Sequence, residues 1–120
     1  MGHYKDLLAY QKSYELAMHI FVISKKFPSE EKYSLTDQVR RSSRSVCTNI
    51  AEAYRRKRYK DYFISKLNDA ETENAETEVW LDFSKDCSFI TAEEYGKLIS
   101  LNTEIGKLVW YMINNAEKFI

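Results

Sequence analysis

Apolar residues return every three or four positions along nearly the whole chain, with polar residues filling the gaps, and this spacing predicts helices throughout. From about Lys5 to Lys26, the residues Leu7, Tyr10, Tyr14, Ala17, Met18 and Phe21 form one stripe. A second set, Ala9, Leu16, Ile20, Ile23 and Phe27, widens the apolar arc to over half the circumference, more than a single core-facing stripe requires. A further cover is therefore expected, preferably a partner subunit, although a bulky neighbouring helix would serve.

Pro28 pushes Phe27 out of helical geometry, and Ser29 or Ser34 is placed to cap the second helix. That helix runs to about Arg56, with Leu35, Val39, Ser42, Val46, Ile50 and Ala53 on one face. Its arginines Arg40, Arg41, Arg44 and Arg55 fall on nearly the opposite side, so the basic stretch is folded and displays its charge.

A third helix, about Tyr59 to Cys87, carries Phe63, Leu67, Ala70, Asn74, Thr77, Leu81, Ser84 and Ser88 in alternating steps of four and three, a coiled-coil-like seam. Asn74 and Thr77 place polar groups in that seam, which calls for partners across the bundle or a wet centre. Thr91 and Glu94 form a capping box at the start of a fourth helix. Its inner face is Tyr95, Leu98, Asn102, Ile105, Val109, Met112, Ala116 and Phe119. With short connections between them, four such helices predict an all-α domain, an antiparallel up-down-up-down four-helix bundle shaped as a rod.

Composition agrees with that pattern. The 120 residues suit one domain, 1–120, and a single proline with three glycines starves the chain of turn formers. No run of apolar residues suits a membrane span or a secretory leader. Cys47 and Cys87 lie inside helical patterns without a second Cys or His at metal-ligand spacing, and both read as small core residues of a cytoplasmic protein.

Net charge is zero, yet its distribution is lopsided: residues 1–60 hold thirteen Lys and Arg against six acids, and residues 61–120 hold five against twelve. The densest cations are Arg55, Arg56, Lys57, Arg58 and Lys60, at the corner between the second and third helices, interleaved with Tyr54, Tyr59 and Tyr62. A solvated turn explains such a run as readily as a site does. The functional reading is phosphate contact with the tyrosines available for stacking, helped by Arg40, Arg41 and Arg44. Folding the third helix back on the second sets Arg40, Arg41 and Arg44 beside Glu71, Glu73 and Glu76, where ion pairs would absorb charge. At the corner only Glu52 and Asp61 are near.

Enzymatic readings find little support. The two histidines, His3 and His19, are not placed to activate the serines of the second helix, and there is no glycine-rich phosphate loop. A metal-dependent hydrolase built on Glu52, Glu73 and Glu76 is the weakest option, because the Glu-x-x-His motif of di-metal bundles is missing. No catalytic residue, metal or cofactor is expected.

The stretch "FPSEEKYSLTDQVRRSSRSVCTNIAEAYRR" resembles the signature of the four-helix-bundle proteins named after the intervening sequences of 23S ribosomal RNA genes. The matching residues are Phe27, Pro28, Glu31, Tyr33, Leu35, Gln38, Arg40, Arg41, Ser45, Val46, Asn49, Ile50, Ala51 and Glu52, and the likeness continues through "DYFISKLNDAETENAETEVWL". The chain departs from the pattern at Ala53, where many members carry glycine, and at Thr72 and Glu73, where many carry Gly-Ser. The resemblance implies an antiparallel bundle, commonly a ring-like pentamer, without enzymatic activity. It also implies kinship with the accessory protein of diversity-generating retroelements, which is thought to bind nucleic acid and a reverse transcriptase. The expected function is thus a non-catalytic, homo-oligomeric nucleic-acid-binding protein, with RNA favoured over DNA. The alternative is a protein-interaction scaffold whose basic end docks an acidic partner.

Overall fold

The chain, described over residues 2–120 in a computed structural model, contains four α-helices: α1 (Leu8–Ser24), α2 (Leu35–Arg55), α3 (Lys60–Asp86) and α4 (Ala92–Asn114). Short 3-10 turns occupy Tyr4–Asp6, Ser29–Glu31 and Ala116–Lys118, and there is no strand among the described residues. The helices pack as an antiparallel up-down-up-down bundle, each against its sequence neighbours, with α4 returning to α1 and the diagonal pairs apart. The result is a rod of 44 × 25 × 20 Å.

The α2 periodicity translates directly into packing. Leu35, Val39, Ser42, Val46, Ile50 and Ala53 are all buried, and residues Asp37, Arg41, Arg44, Thr48, Glu52 and Arg55 form the exposed stripe. Burial of a Val or Ile side chain stabilises by about 1.5–3 kcal/mol, so this face alone commits the segment to a helix. Its start differs from expectation. Ser34 stands at the N-cap without a side-chain bond, and the Glu31 carboxylate accepts instead from the Leu35 N–H at 3.2 Å. The Thr91/Glu94 capping box is present, with bonds of 3.0 and 2.9 Å.

The polar groups in the α3 seam find partners across the bundle. Asn74 Nδ2 donates to Asn102 Oδ1 at 2.8 Å and Asn102 Nδ2 donates to the Asn74 carbonyl at 3.2 Å, while the Thr77 and Ser42 hydroxyls share a bond of 2.8 Å. Gly106 makes room for this pair, because a Cβ there would lie 3.0 Å from Asn74 Oδ1. A mid-helix glycine costs about 1 kcal/mol relative to alanine, and here it keeps a buried amide in place. Tyr95 fastens α4 to α3 nearer the other end by donating to Asp82 at 2.6 Å, a bond that pushes the phenol up to about 12.

Three expectations need correction. On α1 the buried face is Ala9, Ser13, Leu16, Ala17, Ile20 and Ser24, whereas Tyr14 and Met18 of the first stripe lie outside and are about half exposed, because the flanking helices reach only the side centred on Leu16 and Ile20. The seam of α3 stops before Ser88, which takes a left-handed conformation (φ 65°) as the chain leaves the helix, with the Phe89 N–H closing on the Ser84 carbonyl at 2.9 Å. Cys87, at the α3 C-cap, is consequently exposed, and only Cys47 is a core residue, its thiol pushed up by burial. Among the described residues no helix is long and apolar enough to cross a membrane.

Candidate nucleic-acid interface

The eight cations singled out in the sequence do not form one surface. Arg55, Arg56, Lys57, Arg58 and Lys60 cluster where α2 turns into α3, at one end of the rod. Arg40, Arg41 and Arg44 lie on the N-terminal half of α2, and Arg44 and Arg55 are separated by about 16 Å at the helical rise of about 1.5 Å per residue.

At the corner, α2 ends at Arg55 and α3 begins at Lys60, so the intervening residues form a tight turn at the end of the rod. Their cations rest on aromatic rings. The Arg56 guanidinium lies 5.4 Å from the Tyr59 ring centre and 4.8 Å from that of Tyr62, and Arg58 lies 5.1 Å from Tyr59. Lys57 sits 4.1 Å above the Tyr54 ring and donates to its hydroxyl at 2.9 Å. Such contacts hold flexible side chains over a ring without cancelling their charge. None of Arg55, Arg56, Lys57 and Arg58 forms an ion pair among the described residues.

The tyrosines here act chiefly as platforms for those cations. Tyr54 is buried, which withdraws it from any stacking role, while Tyr59 stays about half exposed. Of the acids expected nearby, Glu52 is taken by Lys66 at 2.9 Å. Lys60 is the exception among the five cations. It pairs with Glu117 from the turn after α4, which holds the Lys60 ammonium above its ordinary range and the Glu117 carboxyl below its own. A partner from the far end of the chain could not be found by local pattern alone.

On α2 the outcome differs for each arginine. Arg41 lies 3.4 Å from Glu76 and 3.7 Å from Glu73, the pairing anticipated from the antiparallel return of α3. The Glu73 carboxyl is nevertheless raised above its ordinary value, since partial burial and the neighbouring Glu76 outweigh Arg41. Arg40 and Arg44 turn the other way, to α1, with guanidinium carbons 4.9 and 5.6 Å from the Phe21 ring centre. Arg40 also donates to the Ser24 hydroxyl at 2.7 Å, and Lys25 approaches the same Phe21 ring to 4.8 Å. Sequence spacing alone does not bring Phe21 and Lys25 into this cluster. The signal for them exists at the level of topology, because folding α1 back on α2 through the 28–34 connection sets Phe21 opposite Arg40 and Arg44.

The remaining chemistry is sparse. Among the described residues there is no grouping of three or more His, Cys, Asp or Glu placed to hold a metal ion. Glu52, Glu73 and Glu76 are occupied by Lys66 and Arg41, and His19 is exposed beside Glu15 at 3.8 Å.

A family model described as "23S rRNA-intervening sequence protein" matches residues 5–110. Among solved structures, a protein of unknown function from the S23 ribosomal protein family of Bacteroides thetaiotaomicron is similar, with 36% identity and a TM-score of 0.83 over 92% of this chain and 99% of its own. No curated protein matches the chain.

Proposed function

The chain belongs to the 23S rRNA-intervening sequence protein family, and from that premise we propose that it is a non-catalytic, oligomeric nucleic-acid-binding protein of the cytoplasm, with RNA the expected ligand. The observation that carries this reading is the set of unpaired cations at the corner, Arg55, Arg56, Lys57 and Arg58. Exposed cations without an internal carboxylate keep their full attraction for phosphate, and each contact displaces counterions from the polyanion. Guanidiniums resting on tyrosine rings lose less freedom on binding than free ones, which favours the contact further. Lys60 and Arg41, already paired, contribute less. The implied kinship with the accessory proteins of diversity-generating retroelements is compatible with this function.

The proposed assembly is a homo-oligomer, a pentamer by the family resemblance, and the outer side of α1 suits it. Leu8, Tyr14, Met18 and Val22 are about half exposed or more there, an apolar face that a second subunit would cover. Repetition around a ring would multiply the corner's modest charge. That same face favours the second reading, a scaffold for another protein. One stoichiometric partner surviving nuclease treatment in a pull-down would support it.

The nucleic-acid reading is tested by titrating a structured RNA hairpin with the chain, following fluorescence anisotropy from about 50 to 200 mM salt. Affinity should fall with a log-log slope of about −0.9 for each phosphate engaged. Undetectable binding at the lowest salt, or affinity that ignores salt, contradicts it.

A further inference from the structure

Extending the binding function to a second surface, and resting on that reading, we infer that the groove beside the N-terminal half of α2 takes one nucleotide of a single-stranded segment, its phosphate on Arg40 and Arg44 and its base on Tyr33. The open groove has a volume of about 600 Å³ and is lined by Lys32, Tyr33, Thr36, Asp37, Arg40 and Arg44, together with Arg41, which is already paired to α3.

Three independent features converge there. Tyr33 is 85% exposed, so its ring adds almost nothing to the packing of its own bundle, and the Lys32 ammonium lies over that ring at 5.3 Å. Arg40 and Arg44 of the groove share the Phe21 ring with Lys25, that ring and Lys25 both lying outside the lining, and none of the three cations is paired with a carboxylate among the described residues. Like charges gathered so closely repel one another, and an anion between them relieves the repulsion. Thr36, only 7% exposed, belongs to the groove wall, and its hydroxyl is buried beneath that wall without a hydrogen-bond partner.

The lining points to a nucleotide unit. Asp37 is the one carboxylate on the wall, so the groove remains net positive and suits a phosphodiester. A stacked base-paired nucleotide has no free face to offer a side chain, whereas an unpaired base does, and aromatic platforms combined with cations are how single strands are held. The corner differs in degree, since two guanidiniums, Arg56 and Arg58, lie over the Tyr59 ring, whereas a single ammonium, that of Lys32, lies over Tyr33.

The experiment measures affinity of the full chain for a single-stranded RNA of about 12 nucleotides and for a blunt duplex RNA of similar length, with solution mass recorded for each variant. Tyr33→Ala should weaken the single strand about tenfold and leave the duplex unchanged, and Tyr33→Phe should restore binding. Arg40→Gln with Arg44→Gln should reduce the single-strand salt slope by about 0.7, the loss of one phosphate. The inference is overturned if Tyr33→Ala weakens neither ligand, weakens both equally, or alters only the solution mass. If Arg56→Gln with Arg58→Gln weakens both ligands while Tyr33→Ala weakens neither, the groove fails and the nucleic-acid function stands. Absence of binding by the unmodified chain removes both.

Discussion

Arg41 and Arg55 belong to the same exposed stripe of α2, about 21 Å apart along the helix. Arg41 is held between Glu73 and Glu76, whereas Arg55 has no ion pair among the described residues. Residue type and helical face are the same, so the difference comes from what lies opposite. Over its N-terminal half, α2 runs alongside the acidic stretch of α3, and the antiparallel register sets a carboxylate beside an arginine. At the end of the rod the chain turns, the nearby carboxylates Glu52 and Glu117 are taken by Lys66 and Lys60, and the other cations remain available. Charge in a bundle is therefore silent or active according to register as much as composition.

The strongest way to break this contrast is to reverse the free cations. Arg55→Glu, Arg56→Glu and Arg58→Glu together should lower affinity for an RNA hairpin at least about a hundredfold at low salt while the helical circular dichroism is unchanged. A loss of less than about threefold would mean the corner is only a solvated turn.

Releasing paired cations should work in the opposite direction. Glu73→Gln with Glu76→Gln frees Arg41, and RNA affinity should rise about fivefold with a salt slope steeper by about 0.9. Arg41→Gln in the unmodified chain should change affinity less than about twofold and stability by at most about 1 kcal/mol, measured by urea unfolding, because Arg41 and Glu76, its nearer partner, are both exposed to solvent.

The subtlest case is Lys60, which acidification should release. The Lys60 ammonium holds the Glu117 carboxyl below its ordinary value of 4.5, so the pair's contribution to stability is present above that pH and is lost as pH falls through the lowered folded value. Glu117→Gln should abolish that part of the pH dependence in thermal unfolding. An identical acid profile in wild type and variant would show that the pair has no energetic consequence.

Much of this arrangement is written locally in the chain. Leu35 to Ala53 on one face of α2, the Thr91/Glu94 cap and the inner residues of α4 come from spacing alone, because burial at a period of 3.6 leaves a direct trace. The pairing of Arg41 with α3 carboxylates is also legible once an antiparallel return is assumed. Tyr14 and Met18 mislead because α1 is apolar on both sides, and periodicity does not tell a core face from an outer one. The Lys60–Glu117 pair joins opposite ends of the sequence, and the capping of α2 by Glu31 replaces the more usual serine. Both depend on how the chain closes in space, which no local pattern records.

The most direct measurement compares RNA-binding salt slopes for two variants, one that removes free cations of the corner and one that removes the paired cation of α2. Arg55→Gln, Arg56→Gln and Arg58→Gln together should flatten the slope by about 2–3, and Arg41→Gln by less than about 0.3. Equal flattening by both, or none by the first, would contradict the division between free and paired cations.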